Sequence, residues 1–138
     1  MSARLRHGSA AWFHMVGNLM CEAATRADLP ADLIVSLVER YIDGVPFQDE
    51  LVQGLRFDIW AGKPTFRIGA LPTERSDITV EVTAAASREL NSLYRADPRF
   101  QEALTRLRSS GAIRIDGDLA RLGDWFGTVH DQIVDFTM

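Results

Sequence analysis

The chain has 138 residues, 46% of them hydrophobic and 25% charged, with a formal net charge of -4 at pH 7. A chain of this length buries roughly two thirds of the surface that its unfolded form exposes, so one domain is expected over residues 1–138, with no disulfide or metal needed to fold it. The acidic balance and the lack of a basic cluster argue against nucleic acid and anionic membrane surfaces as partners, and no apolar run reaches the length of about eighteen residues that reads as a membrane span.

Residues 10–27 place Trp12, Met15, Val16, Leu19, Met20 and Ala23 at helical spacing. Asp28-Leu29-Pro30 ends this helix and opens a second, over Pro30–Ile42. There Leu33, Ile34, Leu37, Val38 and Tyr41 recur at intervals of three and four, and Gly44 supplies the stop. Residues 1–44 are therefore expected to be an N-terminal helix pair, and residues 45–138 the α+β core.

Beyond a short connection the period changes to two. In "LRFDIW", Phe57 and Ile59 share one face while Arg56, Asp58 and Trp60 share the other; "AGKP" turns the chain, and "TFRIG" repeats the alternation through Phe66 and Ile68. "DITVEVT" is the cleanest strand, with Ile78, Val80 and Val82 on one side and Thr79, Glu81 and Thr83 on the other. "AAASRELNSLY" follows as a helix with Ala86, Leu90, Leu93 and Tyr94 on one side.

Asp97-Pro98 has the form of an N-cap followed by proline at the first helical position, and the stripe of Phe100, Ala103, Leu104 and Leu107 runs on to Gly111. "AIRID" is a last strand. Leu119, Leu122, Phe126, Val129, Ile133 and Phe136 then advance by threes and fours as one long amphipathic helix. Strands in a run with helices grouped elsewhere predict an α+β fold, with a mostly antiparallel sheet covered by helices on one face. The two helices before "AIRID" are long enough to carry the chain across the sheet and so to allow a parallel or non-adjacent pairing.

Candidate chemistry is sparse. Cys21 is the single cysteine, which leaves no internal disulfide and makes a reducing cytoplasm the expected compartment. Arg4 and Arg6 before "GSAAWFHMVGNLMC" imitate a secretory signal, but His14 and Asn18 interrupt the apolar run and Glu22 follows it. His7, His14 and His130 have no second ligand at metal spacing, and His14 with Cys21 would supply only two of the four ligands that zinc takes. No metal and no cofactor are expected, and no glycine-rich phosphate loop or serine-nucleophile elbow is present.

Asp116-Gly117-Asp118 reads as punctuation of the fold: Gly117 turns the chain out of the strand and Asp118 caps the following helix. His130 and Asp131 fall off the apolar stripe onto a solvated face. Gly123 and Gly127 flank Trp125-Phe126 within the last helix, each costing about 1 kcal/mol relative to alanine. Close backbone packing explains them structurally, and a helix that bends over a cavity explains them functionally.

From Leu55 onward, the strands "LRFDIW" and "TFRIG", the strand-into-helix run "DITVEVTAAASRELNSL", the proline-begun helix "DPRFQEALTRL" and the segment "GAIRIDGDLARLGDWF" follow one another in an order that resembles the sterol carrier protein 2 (SCP2) domain. The resemblance implies a sheet of five strands with helices on one face. It also implies an apolar tunnel for fatty acyl chains, sterols or other hydrophobic molecules, and no catalytic residues in the domain. On the matching helices, Phe100, Leu104, Leu107, Leu122, Trp125, Phe126 and Val129 are the candidate tunnel lining.

The expected function is non-enzymatic binding or carriage of a hydrophobic small molecule or lipid. The first alternative is an accessory subunit with a dry core that binds a partner protein, or a second copy of itself, through Trp12, Phe13, Met15 and Met20 of the N-terminal helices. The second is a small isomerase or hydrolase that uses Asp58, His130 or Asp131.

Overall fold

In the computed structural model, which describes residues 3–138, the elements run α1 (Ala10–Arg26), β1 (Val35–Tyr41), β2 (Val52–Trp60), β3 (Lys63–Ala70), β4 (Ile78–Val82), α2 (Ala84–Leu90), α3 (Pro98–Ser110), β5 (Ile113–Asp116), a 3-10 turn (Leu119–Leu122) and α4 (Trp125–Asp135). The strands form one five-stranded sheet in the order β3-β2-β1-β4-β5. The β1–β4 pair is parallel and the other pairs are antiparallel. The fold is α+β with a mostly antiparallel sheet.

The second N-terminal helix does not form: its place is taken by β1, the middle strand of the sheet. Leu37 lies opposite Phe57 on one side and Ile78 on the other, so the sheet draws on residues before and after position 44 and the expected helix pair is one helix and one strand. The physical reason is burial of β1 on both faces. Val35, Leu37 and Tyr41 point to one side and Val38 to the other, all 3% exposed or less. A strand covered on both faces loses the apolar-polar alternation, and its apolar residues then match a helical period by accident. The β-branched Ile34, Val35 and Val38 favour the strand.

Helices cover one face only. α1 packs on β2 and β3 and against α4, with the Phe66 ring seated directly on Gly17. Trp12, Phe13 and Met20 are buried in this contact and Met15 is half-buried, so the apolar face of α1 is taken up by the core and is not presented to a partner. Among the described residues no helix is long and apolar enough to cross a membrane.

The opposite face is polar, and the connection from β3 to β4 crosses it. Glu74 in that connection accepts from the Leu71 amide at 3.0 Å and from Arg56 at 3.1 Å, and also pairs with Arg67. Arg40 donates to the Glu74 carbonyl at 3.2 Å and pairs with Glu81 at 3.0 Å.

The helical excursion from β4 through α2 and α3 returns the chain to the adjacent position, where β5 pairs antiparallel with β4. The parallel pair is reached instead across the polar face. Asp97 caps α3 with Pro98 in its first turn, and Gly111 closes it in the left-handed region at φ 81°. The expected long last helix is broken. Asp118 accepts from the Ala120 amide at 3.0 Å to cap the 3-10 turn, and Gly123, at φ 115°, takes the chain out of helical geometry before α4 begins. α2 also ends earlier than its apolar spacing predicts, at Leu90, where Asn91 caps it.

Candidate ligand cavity

Alternation along the strands decides what lies beneath the helices. It turns Leu37 and Glu39 of β1, Val80 and Val82 of β4, and Ile113 and Ile115 of β5 toward α2, α3 and α4. The helices do not close on this floor. A cavity of about 300 Å3 remains, roofed by Phe100 and Leu104 of α3 and by Phe126, Val129 and Ile133 of α4. Val80, Leu104, Phe126 and Ile133 face inward yet are only half-buried, which is what an unfilled interior produces.

Four of the seven candidate lining residues, Phe100, Leu104, Phe126 and Val129, reach this cavity. Leu107, Leu122 and Trp125 do not: they are buried in the filled part of the core. The Trp125 ring lies 5.5 Å from that of Phe57, and its indole N–H donates to the Leu122 carbonyl at 2.7 Å. α4 therefore overlies the cavity from Phe126 onward, through Gly127, Val129 and Ile133, and not at Trp125.

The acid/base candidates are not assembled. Asp58 is paired with Arg56 at 3.1 Å on the polar face of the sheet, away from the helices. Asp131 accepts the Arg95 amide at 2.9 Å, and His130 donates through Nε2 to the Leu93 carbonyl at 2.8 Å. Together with the Arg95 guanidinium, which donates to the Gly127 carbonyl, these bonds tie the connection between α2 and α3 to α4 at the rim of the cavity. Among the described residues no group of His, Cys, Asp or Glu side chains converges as a metal site, and His14 pairs with Asn18 at 3.1 Å.

A polar cluster not foreseen in the sequence lies at the α2 end. The Tyr41 hydroxyl is 2.9 Å from His7 Nε2 and 2.8 Å from Ser87 Oγ, and His7 Nε2 is 3.0 Å from Ser87 Oγ. Asn91 donates to the Ser87 carbonyl at 2.8 Å. Burial, with the nearby Arg88 charge, lowers His7 to about 4, so the ring is neutral; burial and the neighbouring Glu39 push the Tyr41 phenol up.

Glu39 itself is held up at about 7 by burial alone. The helical reading of residues 30–42 hid it. Read as a strand, Val35-x-Leu37-x-Glu39-x-Tyr41 puts one carboxyl in phase with three core residues.

No protein-family model matches the chain, and no curated protein matches it by sequence. The fold is SCP2-like. The chain superposes on a crystal structure of sterol carrier protein 2 with a TM-score of 0.56 at 16% identity, covering 94% of this chain and 98% of that one. A solution structure of a conserved hypothetical protein from Thermus thermophilus, described as possibly a sterol carrier protein, gives 0.54 at 14% identity, covering 99% and 92%.

Proposed function

We propose that the chain binds and carries a hydrophobic ligand, a fatty acyl chain, a sterol or a similar lipid, in the cavity between the sheet and helices α2, α3 and α4. The observation that carries this reading is the cavity of about 300 Å3 with Val80, Leu104, Phe126, Val129 and Ile133 on its walls. Protein interiors normally fill such space to crystal-like density, and an apolar lining favours an apolar occupant. The fold shared with sterol carrier protein 2 supports the same reading.

Magnitudes bound the affinity. At about 30 Å3 each, the volume share of a water, a cavity of this size takes a chain of about ten methylenes. Their burial contributes about 8 kcal/mol gross, and association costs about 4 kcal/mol or more. The remainder corresponds to about millimolar binding. An apolar chain alone is held weakly, and a polar anchor has to add the rest.

The test is uptake of a neutral fluorescent probe, pyrene on a short alkyl chain, by the wild-type chain and by Leu104→Trp, which fills the cavity from α3. Saturable uptake by the wild type that Leu104→Trp abolishes, with cooperative unfolding retained, is expected. No uptake by the wild type, or equal uptake by both, would contradict the reading.

A further inference from the structure

We propose that the ligand is an amphiphile with an ammonium headgroup, an alkyl amine, which enters nitrogen first and is held by Glu39 on the floor of the cavity. The inference rests on the lipid-binding reading and adds to it the chemistry of the headgroup.

Glu39 stands on the inner face of the central strand, between Leu55 of β2 and Val80 of β4, where every other floor position is apolar. It keeps accessible surface at a position enclosed by sheet and helices, and that surface opens into the cavity. No protein group answers its charge: neither a hydrogen bond nor an opposite charge acts on the carboxyl, and burial is the sole influence on it.

None of the other ionisable groups that face this space is bonded to Glu39. Arg95, from the connection between α2 and α3, keeps its charge at the rim, where it donates to the neutral Gly127 carbonyl. His130 of α4 holds the Leu93 carbonyl. Tyr41, on the same strand face, is bonded to His7 and Ser87.

An unpaired carboxylate in apolar surroundings is costly, and it is relieved by a proton or by a cation that comes with the ligand. The arrangement around it favours the cation. An ammonium carries three donors and no acceptor. The Glu39 carboxylate offers oxygens that no protein group engages, whereas the Ser87 hydroxyl is already taken by Tyr41, His7 and Asn91. A fatty acid entering head first would set two carboxylates against each other, so the charge logic selects amines over acids of equal length.

The test is displacement of the pyrene probe by decylamine, decanol and decanoate at pH 7.5, on the wild type and on Glu39→Gln. Decylamine is expected to compete at a concentration about tenfold or more below either of the others. Glu39→Gln is expected to bring the amine-to-alcohol ratio to about one. In the wild type the decylamine advantage grows from pH 5.5 to pH 8 as Glu39 loses its proton; the same series on Glu39→Gln shows whether Glu39 is the source of this dependence.

Decanol or decanoate competing as well as decylamine, or an amine advantage that survives in Glu39→Gln, overturns the headgroup assignment while leaving lipid binding intact. A probe that does not bind the wild type overturns both.

Discussion

The Glu39 carboxyl and the Tyr41 hydroxyl leave β1 on the same face, one strand period apart, and only Tyr41 has protein hydrogen-bond partners, in His7 and Ser87. The contrast separates the two halves of the interior. Around Tyr41 the polar groups satisfy one another and the core is closed. Around Glu39 the core is open and a polar group is left for something other than the chain.

Glu39 and His7 pull the pH dependence of stability in opposite directions. The Glu39 carboxyl rises from 4.5 to about 7 on folding, so the folded chain takes up a proton that the unfolded chain has lost; stability is highest below pH 4.5 and falls as pH rises toward 7. His7 drops from 6.5 to about 4, so its contribution is full above pH 6.5 and is lost as pH falls toward 4. Each amounts to about 3 kcal/mol, and between pH 4.5 and 6.5 they largely offset. Urea unfolding of Glu39→Gln is expected to show stability rising with pH across that window, and His7→Gln stability falling. Identical slopes in both variants and the wild type would contradict the assignment.

Glu74 holds the connection from β3 to β4 against the polar face of the sheet. Burial opposes its charge, but the Leu71 amide, Arg67 and Arg56 outweigh that and keep its carboxyl below the usual range. Glu74→Ala leaves two guanidinium groups without their shared partner and is expected to cost about 2 kcal/mol, less than a fully buried pair because both arginines are partly exposed. A change within about 0.5 kcal/mol by denaturant unfolding, the range of an ordinary surface substitution, would show that the network holds nothing in place.

Asp116-Gly117-Asp118 yields a ranked set. Gly117 has φ 109°, and a Cβ there would stand 2.5 Å from the Asp77 carbonyl oxygen, so Gly117→Ala is expected to cost about 2 kcal/mol or more. Asp118→Ala removes a cap, at about 1 kcal/mol. Asp116 is exposed and pairs with the exposed Arg75, so Asp116→Ala costs about 0.5 kcal/mol or less. Unfolding midpoints in any other order would contradict this reading of the turn.

How much of this was legible depended on solvent. β2, β3 and β4 alternate because one face meets polar groups or water, and their sequences show it. β1 is buried on both faces and reads as a helix; that single misreading also concealed Glu39. The stripes of α3 and α4 were visible, yet Leu104 and Phe126 face empty space while Leu107, Leu122 and Trp125 face filled core. A stripe records burial but not what lies opposite it. The break at Gly123 was signalled by the glycine, though the apolar spacing ran straight through it.

The most direct measurement of the central claim is an NMR spectrum of the methyl-labelled chain with decanol, recording intermolecular NOEs. The account predicts contacts from the alkyl chain to the methyls of Val80, Leu104, Val129 and Ile133, which line the cavity. Contacts confined to the exposed Ile34, Ile42 or Leu71, or none at saturating decanol, would contradict it.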